Sequence, residues 1–138
     1  MQPEATHAAM LAEVDAHLLP QRPGADGRCM PSKLVSILAC GGPVVATAAP
    51  SSELARVVTE AGGLVKPHAD AEALARALIE LLADDELRQT ARTAARDYAV
   101  HHMDRKTILD GLGRSLLEVA QGKGDHADDG RALSWVED

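Results

Sequence analysis

Phenylalanine is absent from this chain, and tyrosine and tryptophan occur once each, as Tyr98 and Trp135. A folded core must therefore be built from Leu, Val, Ala and Ile, and the aromatic platforms on which single-stranded nucleic acid stacks are missing. Basic charge is scarce as well: 14 Lys and Arg stand against 21 Asp and Glu, a formal net charge of −7 with a pI near 5.3. Phosphate-backbone binding rests on clustered cations, and no basic stripe runs through the sequence, so no nucleic-acid partner is expected. The two cysteines, Cys29 and Cys40, lack the CxxC spacing of a zinc or redox site and are expected as reduced thiols. No apolar run reaches the roughly 18 residues of a membrane span, and the N-terminal region lacks the basic start and apolar stretch of a signal peptide. The expected location is the cytoplasm, with no transmembrane segment. The six histidines are dispersed, and His101 and His102 point different ways on a helix, so no metal site is expected. A GxxxxGK[ST] phosphate loop and a GxSxG elbow are also absent, and Gly111-x-Gly113 has neither a preceding strand nor a third glycine.

At 138 residues and 46% hydrophobic, the chain suits one domain with a real core. Thr6 is expected to cap a short helix carrying Met10, Leu11 and Val14, followed by a strand over 16–19 and a loop over 20–27. A helix over 32–40 and a strand over 43–47 come next. Ser51 or Ser52 then opens a helix with Leu54, Val57 and Val58, which Gly62-Gly63 ends before a strand over 64–66. Asp70 caps a helix with Leu74, Leu78, Leu81 and Leu82 at amphipathic spacing. Asp84 or Asp85 begins another, with Leu87, Ala91, Ala94 and Tyr98 on one face, and Asp104 caps a last one bearing Ile108, Leu112, Leu116 and Val119. This is strand-helix alternation with a helical C-terminal run, an α/β pattern with a short parallel sheet flanked by helices. The domain is expected over 1–121 and a solvated, disordered tail over 122–138. Three short strands are few for a sheet covered on both faces, so the chain reads as a fragment or as one that completes its sheet with another chain or a second copy.

The most informative stretch runs from Met30 to Thr47. A helix opening with Ser32 as N-cap leaves backbone N–H groups free at its electropositive end, and Lys33 adds a full charge beside them. Gly41-Gly42-Pro43 then stops the helix so that Val44 to Thr47 can enter a sheet. Such a junction is where α/β proteins hold phosphates, and it points to a nucleotide-type ligand. From these residues alone, an ordinary capped helix with a solvated lysine remains the other reading.

The segment PSKLVSILACGGPVVATAAPSSELARVV resembles the donor-binding region of family 4 glycosyltransferases of the GT-B fold, in their colanic-acid-type branch. Upstream, DAHLLPQRPGA is similar to that branch's strand and loop. Downstream, GLVKPHADAEAL is similar to its GLVVPPGDAEAL, and ADDELR to its ADDPELR. The resemblance runs in one register over about residues 5–120. It implies a partial Rossmann-like domain, the later part of the nucleotide-sugar-binding half, with the acceptor-binding half absent. It further implies a glycosyltransferase that moves a sugar from a nucleotide diphosphate sugar, its substrate, to a glycan or lipid-linked acceptor, with no cofactor or metal. A peripheral place at the inner membrane face fits that chemistry. By position, the resemblance puts Ser32, Lys33 and Arg28 at the donor diphosphate and Ser36, Pro31 and Leu34 at the ribose and nucleotide, and it names no catalytic residue. The Glu-x(7)-Glu pair of many members is replaced here by Arg28 and Ser36. Glu53, where the family often has a Pro-Glu step, is expected to favour a helix N-terminus rather than to catalyse. As an isolated chain the protein is expected to be inactive, its partners being a nucleotide sugar, an acceptor, and a separate acceptor-domain chain or another copy. The alternative is a non-catalytic nucleotide-binding or assembly module that needs a partner chain.

Overall fold

The computed structural model describes residues 4–24, 30–68 and 70–121, so the expectations for Arg28, Cys29 and the tail over 122–138 lie outside the described residues. The chain divides into two units, Met1–Asp104 and Arg105–Asp138. The first holds α1 (Glu4–Glu13), β1 (His17–Pro20), α2 (Ser32–Ala39), β2 (Val44–Thr47), α3 (Glu53–Glu60), β3 (Leu64–Lys66), α4 (Ala71–Ala83) and α5 (Asp85–His102). The second holds α6 (Arg105–Ala120).

The sheet order is β1-β2-β3, and both pairings are parallel, with His17 opposite Val44 and Val45 opposite Leu64. The α/β reading with a short parallel sheet is therefore what the chain adopts. All four β2 residues are buried, as a β-branched run in a central parallel strand should be. Val44 and Ala46 pack with Leu34, Ile37 and Leu38 of α2 and Leu54, Val57 and Val58 of α3. Val45 packs with Ala77 and Leu81 of α4. α5 contributes to both layers, Ala91 to the second and Ala95, Tyr98 and Ala99 to the first.

Three helix starts follow their expected caps: Ser52 Oγ accepts from the Ala55 N–H, Asp70 Oδ1 from Ala73 and Asp84 Oδ1 from Leu87. Others differ. α1 already runs from Glu4, which leaves Thr6 inside it rather than capping it. β1 is shifted one residue to include Pro20, tolerable because a strand at the edge need not donate on its outer side. α2 ends at Ala39, and Cys40 is its C-cap. Gly41 then takes a φ of 68°, the left-handed conformation that closes helices, while the Gly42 N–H donates to the Ile37 carbonyl at 2.9 Å.

α5 straps the amino edge of the sheet. Arg92 donates to the carbonyls of Ala12 (2.7 Å) and Val14 (2.9 Å) before β1, and Arg96 donates to the Ala39 carbonyl before β2. The turn before β3 meets Ala94, whose Cβ lies 2.7 Å from where a Cβ on Gly62 would stand. Two arginines thus satisfy carbonyls that a helix end otherwise leaves open. In α6, considered by itself, no residue is buried, and Ile108, Leu109, Leu112, Leu116, Leu117 and Val119 are each more than half exposed.

A Cβ added to Gly42 would lie 2.6 to 2.8 Å from the His17 ring and Ile37 Cγ2, and the ring is itself anchored by its Nε2–H to the Leu11 carbonyl. Gly42→Ala is expected to cost about 1–3 kcal/mol of stability. Urea unfolding checks this, and an unchanged midpoint would show that the ring swings aside freely.

Candidate functional site

Parallel strands joined through helices place every following helix start at the carboxyl edge of the sheet, where open α/β sheets bind ligands. α2, α3 and α4 therefore all open there. Two are closed by their own side chains and carry acid in the first turn: α3 has Ser52 and Glu53, and α4 has Asp70 and Glu72. α2 differs. Its N-cap position is held by Pro31 (φ −59°, ψ 116°), not by Ser32, which is the first helical residue. Proline has no side-chain acceptor, so no side-chain bond caps α2, and its first turn carries no acidic residue. Lys33 stands there instead.

The Leu34 N–H is used by the Pro31 carbonyl at 2.9 Å, while the amides of Ser32 and Lys33 have no acceptor among the described residues. Ser32, Lys33 and Ser36 are exposed, and Pro31 is half-buried. Ser36 lies one turn after Ser32 on the same side of the helix. These residues share one accessible end of α2. Leu34 does not: its side chain is fully buried beneath α2 with Ile37 and Leu38, so it anchors the helix and cannot contribute a side chain to a ligand at the tip.

At the same carboxyl edge the three strand ends are tied together by residues that sequence reasoning missed. The Gln21 N–H donates to Thr47 Oγ1 at 3.0 Å, and the Thr47 hydroxyl donates back to the Gln21 carbonyl at 3.1 Å. The same carbonyl accepts from His68 Nδ1 at 2.9 Å, which places a proton on that nitrogen. Thr47 is only 6% exposed, so its hydroxyl needs these partners. A local signal existed for one member: His68 stands where the family pattern quoted above has a second proline. A hollow of about 560 Å3, lined by Ala48, Pro50, Arg56, Lys66 and Pro67 among others, adjoins this edge. A second, of about 680 Å3, lies at the amino edge among Ala12, Gly41, Arg92 and Arg96. Among the described residues no His, Cys, Asp and Glu groups are placed to hold a metal, and no helix is long and apolar enough to cross a membrane.

Glu53 is engaged by Arg56, which also reaches Glu60 at 2.7 Å. The hydrogen bond from Arg56 holds the Glu53 carboxyl below its ordinary value, and the pairing raises the guanidinium in turn. A lowered carboxylate contributes stability that is present above the ordinary glutamate range and is lost as pH falls through the folded value. Arg56→Ala should return the Glu53 titration, followed by NMR, to the ordinary range. An unmoved titration would remove Arg56 as the cause. Thr47→Val deletes the paired hydroxyl while keeping shape and is expected to cost about 1–2 kcal/mol in denaturant unfolding. A neutral result would mean that water replaces the pair at no loss.

The family described as glycosyl transferases group 1 matches residues 3–84. The putative colanic acid biosynthesis glycosyl transferase WcaI of Escherichia coli (strain K12) is 36% identical over 104 residues, which covers 73% of this chain and 24% of that protein. The chain thus spans about a quarter of the length of the curated relative it matches. The family match takes in β1, α2, β2, α3 and β3, hence both the open α2 tip and the strand-end tie. On the strength of both matches and of the parallel α/β sheet, this chain belongs to the group 1 glycosyl transferases.

Proposed function

We propose that this chain is the donor-binding part of its glycosyltransferase, and that the end of α2 receives the diphosphate of a nucleotide diphosphate sugar. One observation carries the reading: in a member of this family, α2 alone among α2–α5 opens with no side-chain cap and no acid in its first turn, and it presents Lys33 there. Negative charge grows on the leaving diphosphate as the sugar bond breaks. Backbone N–H groups and a helix dipole already fixed in place stabilise that charge without reorganising, and the Lys33 ammonium adds a full positive charge to them. Ser32 supplies an amide and a hydroxyl, Lys33 an amide and a charge, and Ser36 a hydroxyl one turn away for the ribose. The acceptor is a glycan or a lipid-linked molecule.

Transfer requires two substrates held face to face, a gain of several orders of magnitude that one side of a cleft does not provide. We therefore expect donor binding without turnover by this chain alone. A second reading, a nucleotide-binding module completed by a partner chain, is favoured by the outer side of β1, which has no strand neighbour among the described residues. The two readings share the α2 site and separate on mixing with the acceptor-side domain, which restores transfer only under the first.

Titration with UDP and GDP, followed by calorimetry or by NMR, tests the shared site. Millimolar or tighter binding is expected, weakened about tenfold in Lys33→Ala by loss of one charge-assisted hydrogen bond. The variant should unfold as the parent does, because Lys33 is exposed. Absence of binding, or equal binding by the variant, overturns the diphosphate site.

A further inference from the structure

Successive residues of a strand turn their peptide groups to alternate sides. On β1 the His17 N–H donates to the Pro43 carbonyl at 2.8 Å and the Gln21 N–H reaches the Thr47 carbonyl at 3.3 Å, so the odd-numbered residues face β2. Ala16, Leu18 and Pro20 therefore turn theirs outward, where no strand receives them among the described residues. The Leu18 side chain is 46% exposed, whereas its neighbour Leu19 packs against the core. The other edge of the sheet is closed. Lys66 faces β2, its carbonyl accepting from the Ala48 N–H at 3.1 Å, so Val65 turns outward. On either side of Val65, the Gly63 N–H is already given to the Val58 carbonyl at 2.8 Å and Pro67 has no N–H to give. One outward donor is left on β3, against two, Ala16 and Leu18, on β1. An edge stripped of donors by proline resists strand addition.

We propose that β1 is a self-association edge, on which β1 of a second copy lies antiparallel about a two-fold axis at Leu18. Pairing of β1 on β3 would add copies without end and meets the closed edge, whereas pairing of β1 with itself stops at two. With Leu18 opposite Leu18 of the second copy, each N–H donates to the other's carbonyl, and each Ala16 N–H donates to Pro20 of the other copy. The missing N–H of Pro20 costs one bond per copy and leaves four. Charge selects the direction. Asp15 stands before β1 and Arg22 after it, both exposed. An antiparallel pair brings Asp15 of one copy toward Arg22 of the other at both ends, while a parallel pair would set like charge beside like. The two carboxyl edges then face opposite ends of the pair, so the α2 tips stay apart, and the interface stands whether or not α2 receives a diphosphate.

Sedimentation of the full chain from about 1 to 300 µM tests this, the range in which a small interface associates. The parent should pass from monomer to dimer. Leu18→Lys, a charge on the paired edge, should weaken dimerisation at least tenfold while unfolding in urea as the parent does. Arg22→Glu should weaken it about threefold or more, and Asp15→Lys added to Arg22→Glu should restore it. Leu18→Cys should form a disulfide-linked dimer on mild oxidation, because facing residues of such a pair have Cα atoms about 5.5 Å apart, and Val65→Cys and the parent should not. A chain that stays monomeric, growth beyond the dimer, or a dimer indifferent to Leu18→Lys and to the charge reversals overturns the proposal. So does a monomer that instead forms a one-to-one complex with the acceptor-side domain through this edge.

Discussion

The constraint on which this molecule turns is the parallel pairing of β2 with both of its neighbours. Two parallel strands cannot be joined by a tight turn, so each must be followed by a crossover that returns to the opposite edge. The helices α2, α3 and α4 consequently share a starting edge, and their positive ends are gathered on one side of the sheet. β2 can occupy the centre only because Val44, Val45, Ala46 and Thr47 tolerate burial from both faces. Of these, Thr47 is the one polar residue, and it sits at the carboxyl end, where its hydroxyl has the Gln21 backbone to pair with.

The two edges are used in opposite ways. At the amino edge α5 meets all three turns, and its arginines occupy carbonyls at the ends of α1 and α2. Those groups are consumed in holding the fold. At the carboxyl edge the helix starts of α3 and α4 are consumed by Ser52 and Asp70, and what remains uncommitted among the described residues is the tip of α2. Rigidity at one edge and open backbone donors at the other follow from the same chain connectivity. A site made this way owes its geometry to packing: Leu34, Ile37 and Leu38 seat α2 in the core while Ser32, Lys33 and Ser36 stay outside.

Much of this was legible in the residues. Serine and aspartate before an amphipathic run found the starts of α3, α4 and α5, because a cap is a local bond between residues three apart. β3 was bounded by Gly63 and Pro67, punctuation that needs no tertiary knowledge. Ser32 misled as a cap because its hydroxyl suits that role, whereas the proline before it already held the turn. For Leu34, resemblance drew attention to the surface, yet its spacing with Ile37 and Leu38 is that of a buried stripe. The tie among Gln21, Thr47 and His68 joins residues 26 and 47 positions apart, and no periodicity or short motif encodes such a meeting. His68 was visible only as a departure from a family pattern.

A chain with a formal net charge of −7 is at first sight a poor host for a diphosphate. The distribution answers this. Part of the acid serves the fold directly: Glu53 with Arg56 at the start of α3, Asp70 and Glu72 at that of α4, Asp84 to Glu86 at that of α5. None stands in the first turn of α2. Repulsion from charges farther away than about 8–10 Å is screened at physiological salt, whereas a hydrogen bond between an ammonium and a phosphate oxygen acts at contact and is screened far less. Net charge governs approach and local charge governs retention. On the proposed reading, the global excess of acid slows encounter with a nucleotide sugar but leaves the contact energy at Ser32 and Lys33 intact, and it disfavours longer polyanions that cannot fit their charge onto one helix end.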